Sequence, residues 1–272
     1  MTLTRTEVRE LLDRHGIRPK RSLGQNFVVE PNTVRRIVEL AAVGPGDRVL
    51  EIGPGVGSLT LALAEAGVAV TAVEIDDALV DVLAETTAGH DVVVVHADAM
   101  AVDWSDLLGN DQWTLVANLP YNVSVPLVCD LLDGVPAIRR MVVMVQKEVA
   151  ERLVAGPGDS SYGLPSVKVA YHATGQMVGR VPPSVFLPRP RVDSALVELV
   201  RRAAPTVDAD PEVLFDLVRV GFRQRRKMLR RSLSGSVDEA AFATSGVAPT
   251  ARAEELGLDG WAALAAAVAG AS

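Results

Sequence analysis

The stretch "DRVLEIGPGVGSLTLALAEAG", residues 47–67, decides the fold. A short apolar run (Val49, Leu50, Ile52) enters a turn holding Gly53, Gly55 and Gly57, and an apolar helical segment then runs to Gly67. A glycine turn between strand and helix lets backbone approach a nucleotide closely, beside the free N–H groups of the helix start. The spacing here is G-x-G-x-G, unlike the G-x-G-x-x-G of dinucleotide sites, and Glu51 stands where a carboxylate would repel a pyrophosphate. A nucleoside carrying a sulfonium and an ammonium, with no phosphate, suits that charge. S-adenosylmethionine is such a molecule.

Outward from this turn the pattern alternates. "PNTVRRIVELAA" precedes it as a helix with Pro31 at its start. "VAVTAVEID", "DVVVVHADAM", "WTLVANLPY" and "RRMVVMVQ" follow as strands, with "DALVDVLAETT" and "SVPLVCDLLDG" as helices among them. Near-continuous Val, Ile and Leu runs are expected of strands buried on both faces of a parallel sheet. The expected fold is therefore an α/β, doubly wound, Rossmann-like core. Beyond it "SVKVAYHATGQMVGRVP" reads as a long strand or strand pair, "SALVELV" as a strand, and the chain from about Ala204 as helical. This divides the sequence into a catalytic domain at 1–203 and a small helical domain at 204–272.

Glu74 closes the second strand at the distance where a carboxylate accepts bonds from ribose hydroxyls. Asp98, after the third, can accept a bond from an adenine amino group. Either residue alone would serve equally as a helix cap; in register with the glycine turn they read as ligands. The fourth strand ends at "VANLPYNVS" (116–124), which puts Asn118 at the same sheet edge. The exocyclic nitrogen of a base is a poor nucleophile because its lone pair is delocalised into the ring. The Asn118 side-chain oxygen and the Leu119 carbonyl, accepting its N–H bonds, would localise that pair. Pro120 would fix the turn and Tyr121 would stack on the base. Catalysis would then rest on positioning and polarisation, with no strong base.

The bulk properties narrow the class. The lone cysteine, Cys129, excludes an internal disulfide, and His15, His90, His96 and His172 are scattered without metal-ligand spacing, which argues against zinc. The N-terminal "MTLTRTEVRELLDRHG" reads as a charged amphipathic helix, and no apolar run reaches membrane-spanning length, so a cytoplasmic location is expected. A net charge of −7 excludes a protein coated in positive charge, yet two stretches oppose the average. Residues 17–27 carry Arg18, Lys20 and Arg21 without an acid. Residues 219–233 carry Arg219, Arg223, Arg225, Arg226, Lys227, Arg230 and Arg231 without one. A solvated helix face is the plain reading of the second; in an acidic protein it reads as a grip for RNA phosphates.

With the glycine turn, "VEID", "HADAM" and "NLPY" in order, the sequence resembles the KsgA-type ribosomal RNA adenine dimethyltransferases over nearly its whole length. Further marks are "LGQNF" (23–27), "QKEVAERLVAGPG" (146–158), "VPPSVFLPRPRVDS" (181–194) and "FRQRRKMLRRSL" (222–233). The resemblance implies dimethylation of N6 on two adjacent adenosines in the 3′-terminal hairpin of 16S ribosomal RNA, within a precursor of the small subunit, by a monomer. By matching motif, Asn26, Val28, Gly53, Gly55, Glu74, Asp98 and Asn118 would contact the donor. Asn118, Leu119, Pro120 and Tyr121 would serve the adenine, and Arg223, Arg225, Arg226, Lys227, Arg230 and Arg231 the RNA. Phe186, by its sequence alone a core residue, would stack on the adenine's other face. Val28 stands where the family often has Leu, Pro165 falls in a segment that usually lacks proline, and Arg189 and Arg191 make "PRPR" more basic than usual. The rival readings are an Erm-type enzyme acting on 23S ribosomal RNA and a non-catalytic ribosome-assembly factor.

Overall fold

The apolar runs become strands because each can bury two faces only inside a covered sheet. In the computed structural model, which describes residues 2–270, the strands are β1 (Phe27–Val28), β2 (Arg48–Ile52), β3 (Ala69–Glu74), β4 (Val92–His96), β5 (Trp113–Asn118), β6 (Ile138–Gln146), β7 (Ala173–Val181), β8 (Phe186–Leu187) and β9 (Ser194–Arg201). Seven of them form one sheet in the order β4-β3-β2-β5-β6-β9-β7. From β4 across to β6 the neighbours run parallel, and β9 returns antiparallel to β6. The expected doubly wound α/β core is therefore present, with an antiparallel margin.

The chain winds one way from β2 through β4, then crosses back to β5 and winds the other way. The loops after β2 and β5 thus diverge at the reversal point, where open α/β sheets leave a crevice. Helix Ser58–Glu65 starts in that crevice and buries Leu59, Leu61 and Leu63. Val49, Leu50, Leu115 and Val116 beneath it are wholly inaccessible. The outer strand behaves differently. Val93 on β4, an edge strand, is 57% exposed.

The fold divides into two compact units: Met1–Ala150 with Gln176–Arg201, and Glu151–Gly175 with Arg202–Ser272. Residues 151–175, placed with the catalytic part by sequence, thus group with the C-terminal helices. The segment read as a strand pair is in fact helix Leu164–His172 followed by β7. Pro165 in its first turn and the Ser166 hydroxyl accepting from the Gly163 N–H start that helix. The misleading cue is an alternation: Val167, Val169 and Tyr171 are all buried, at two-residue steps.

The second unit is built around Trp261, which is fully buried with Leu214, Val218 and Leu264. Gly221, inside helix Pro211–Arg223, lets it approach: a Cβ there would sit 2.7 Å from Cη2 of the indole. The basic stretch is not one helix. Helix Pro211–Arg223 stops, a turn follows, and Leu229–Ser232 forms a separate short helix. Among the described residues, no helix is long and apolar enough to cross a membrane.

Candidate active site

One cavity at the reversal point collects the residues named from sequence. Asn26 and Val28 line it beside Gly53 and Gly55, with Glu74, Asp98, Asn118 and Pro120 completing the wall. The glycine turn is a steric necessity at Gly55. Its φ is +60°, and a Cβ there would fall 2.7 Å from Cδ1 of Phe27. A side chain would collide with the ring and fill the cradle.

Two carboxyls beside the glycine turn, Glu74 and Glu51, line this cavity together with Asp98. Glu74 bridges loops: one oxygen accepts from the Gly55 N–H (3.1 Å), the other from the Asp76 N–H (3.0 Å). It does not cap the following helix, whose N-cap is Asp76. Burial raises its pKa. Glu51 is 2% exposed, and its Oε2 has no hydrogen-bond partner among the described residues. Burial, with the nearby Glu74 charge, pushes the Glu51 carboxyl up to about 8. A buried acceptor without a donor is costly and marks where a ligand group belongs. A cationic ligand fits both carboxyls. Asp98 sits at the end of β4, where its carboxylate accepts from the Met100 N–H at 2.9 Å.

Asn118 is held by the strap that precedes β1. Its amide donates to the Asn26 carbonyl at 2.9 Å, so the side-chain oxygen is fixed by default at the opposite end of the amide. That oxygen, Oδ1, is buried with no partner among the described residues. The strap is itself anchored: Lys20 and Gln25 both bind the Asp76 carboxylate at 2.7 Å, and Gly24 rests against the Tyr121 backbone. Strand β1 then pairs with β8, Phe27 opposite Leu187 and Val28 opposite Phe186. Leu119 is buried below the turn, its N–H bonded to the Met144 carbonyl. Tyr121 stands just outside the cavity, its hydroxyl 2.6 Å from the Ser194 hydroxyl.

The family model "Ribosomal RNA adenine dimethylase" matches residues 16–269. The chain belongs to this family. The dimethylase resembles the "Ribosomal RNA small subunit methyltransferase A" of Kineococcus radiotolerans, with 50% identity over 97% of this chain and 91% of the relative. A dimethyladenosine transferase from Plasmodium falciparum is 25% identical with a TM-score of 0.72, over 86% of this chain and 94% of that one. The 23S rRNA methyltransferase ErmE is 28% identical with a TM-score of 0.66, over 90% of this chain and all of its own. The protein is thus an S-adenosylmethionine-dependent adenine dimethyltransferase acting on ribosomal RNA.

Two expectations fare differently in the dimethylase. Phe186, expected to stack on the adenine, is fully buried in the core with Val28, Ile37 and Leu196, and it does not line the cavity. Its neighbours in β8 and β1 turn the ring inward, as the plain sequence reading had it. Arg225, expected on RNA, is bound within its own unit. It meets the Glu254 carboxylate at 2.6 Å and donates to the carbonyls of Ser160 and Asp159. Arg219 likewise pairs with Asp216 at 2.5 Å. Arg223, Arg226, Lys227, Arg230 and Arg231 remain exposed.

Sequence reasoning treated Glu51 only as a charge and overlooked Gln25, Asp76 and Ser194. Gln25 lay in plain view inside "LGQNF". Asp76 and Ser194 carried no local signal, since their partners lie 51 and 73 residues away.

Proposed function

We propose that this dimethylase modifies N6 of two adjacent adenosines in the 3′-terminal hairpin of 16S ribosomal RNA, within a small-subunit precursor, as a cytoplasmic monomer. The small-subunit assignment rests on relatives such as that of Kineococcus radiotolerans. The observation that carries the chemistry is the buried, partnerless Oδ1 of Asn118 on the cavity wall.

When bound, S-adenosylmethionine supplies an electrophilic methyl group on a sulfonium. Glu51 would accept the donor's ammonium, Glu74 its ribose hydroxyls and Asp98 its adenine amino group. The Gly53 and Gly55 backbone, with Asn26 and Val28, would close around it. Asn118 Oδ1 would accept an N–H of the target N6, drawing its lone pair out of the ring; Leu119 would contribute its carbonyl. The nitrogen gives up its proton to solvent only after alkylation, so no buried base is needed. Pro120 holds the turn. Tyr121, steadied by Ser194, would offer its ring to the adenine.

The exposed cations at 223 and 226–231 would bind RNA phosphates, with Arg225 shaping the segment from behind. Purified small and large ribosomal subunits from cells lacking the enzyme, incubated with labelled donor, test the proposal. Label on two adjacent adenosines of 16S RNA is the expected result. Label confined to 23S RNA would support the Erm-type reading, to which the likeness to ErmE gives a foothold. Absence of both label and donor binding would support an assembly factor.

A further inference from the structure

The two basic features left over by the RNA reading of the C-terminal unit are Arg18 with Arg21, and Arg189 with Arg191. They lie 168 residues apart in sequence (21 to 189), and the fold brings their loops together. Strands β1 and β8 are antiparallel, with Phe27 opposite Leu187. The segment entering β1 and the segment leaving β8 therefore emerge from the same end of this ribbon. That end is at the catalytic turn. Asn26, the residue just before β1, accepts the Asn118 amide, and the Ser22 carbonyl accepts from the Asn122 side chain at 3.3 Å. At the end of the 188–193 loop, Ser194 meets the Tyr121 hydroxyl. Both arginine-bearing loops thus meet the Asn118–Asn122 segment.

All four arginines are exposed, and none has an ion-pair partner among the described residues. Lys20 between the first two is already spent on Asp76. The 188–193 loop carries one exposed acid, Asp193, against its two arginines. A protein with a net charge of −7 that keeps unpaired guanidinium groups on two loops meeting at the catalytic turn presents a local field opposite to its average. Guanidinium forks match phosphate oxygens in pairs.

We propose that Arg18, Arg21, Arg189 and Arg191 form a phosphate-binding rim, which grips the RNA backbone on either side of the target adenosine and holds it splayed over Asn118. The rim belongs to the catalytic unit and is separate from the 223–231 segment. Extruding a base leaves its two flanking phosphates as the fixed handles of the nucleotide. The rim supplies cations at the turn for them. The inference rests on the proposed RNA adenosine substrate.

The experiment compares wild type with Arg189→Glu/Arg191→Glu and Arg21→Glu/Arg189→Glu for binding to small ribosomal subunits lacking the modification. Affinity is measured across a salt series, and donor affinity is measured by calorimetry. The expected result is roughly a tenfold or greater loss of affinity at low salt, and a salt slope smaller by about 0.7 for each lost phosphate contact. Donor affinity should be unchanged, and Arg189→Lys/Arg191→Lys should restore most of the binding. An unchanged slope in both reversed pairs, with wild type methylating the particles, overturns the rim alone. Failure of wild type to methylate or bind them overturns the underlying reading instead. If a reversed pair loses donor binding as well, the neutral Arg189→Gln/Arg191→Gln pair carries the same comparison, and an unchanged slope there counts against the rim.

Discussion

The loops at the sheet's reversal point and the basic segment at 219–233 were both conspicuous in the sequence, yet they keep their promises differently. At the reversal point the fold leaves polar groups wanting: Glu51 Oε2 and Asn118 Oδ1 are buried without partners. In the basic segment the fold satisfies part of what it displays, binding Arg225 to Glu254 and Arg219 to Asp216. Backbone geometry dictates the first region, so residue type and position together announce chemistry. Long flexible side chains dictate the second, and a run of like charge does not say which members are spent internally.

That contrast can be broken most sharply at Asn118. Asn118→Ala is expected to lower kcat by about 100- to 1,000-fold, the scale on which a preorganised polar contact to a reacting centre acts. Thermal stability and affinity for ribosomal particles should hold. A rate within threefold of wild type would remove the polarising role.

Gly55→Ala comes next. The Cβ collision with Phe27, added to a backbone at φ +60°, is expected to weaken donor binding at least tenfold and to cost about 1–3 kcal/mol of stability. Calorimetry and thermal unfolding read the two effects separately.

The arginines sharpen the comparison. Arg225→Ala should destabilise the C-terminal unit by about 1–2 kcal/mol, from lost bonds to two carbonyls and a carboxylate. Arg226→Ala with Lys227→Ala should leave unfolding unchanged and reduce the salt slope of RNA binding. Equal effects of the two changes on unfolding would erase the distinction.

The smallest effect concerns pH. Because burial lifts Glu51 to about 8, the folded chain carries a proton there that the unfolded chain has released above the ordinary carboxylate range. This contribution to stability is full below about 4.5 and fades as pH rises towards 8. Glu51→Gln should flatten the thermal midpoint across that window. An ammonium placed against Glu51 favours its charged form, so donor binding at pH 7 should release a proton in wild type and not in the variant. Calorimetry in buffers of differing ionisation heat detects this, and identical proton release in both would sink the assignment.

How much of this was legible depended on range. The core strands and the cavity's polar residues followed from glycine placement, apolar runs and carboxylates at strand ends, because each is a local cue. Helix Leu164–His172 was misread because its buried residues fall two apart, with Pro165 as the overlooked start signal. Phe186 was readable as core from its own sequence, but only what β8 faces decides against the adenine, and Ser194 could be assigned only by knowing that Tyr121 reaches it. Those are tertiary facts, written in no neighbouring residue.

The β1–β8 pairing has a further consequence for how the protein is made. The strap that steers Asn118 is tied down by residues that leave the ribosome about 160 positions later than itself (27 to 187). A nascent chain that has formed β2 through β6 already holds every residue that lines the cavity, together with the strap's bonds to Asp76, Asn118 and Asn122. The strand pairing of the strap is the last of its anchors to be made, so a chain cut short before Phe186 would carry every glycine of the nucleotide turn and lack that final tie.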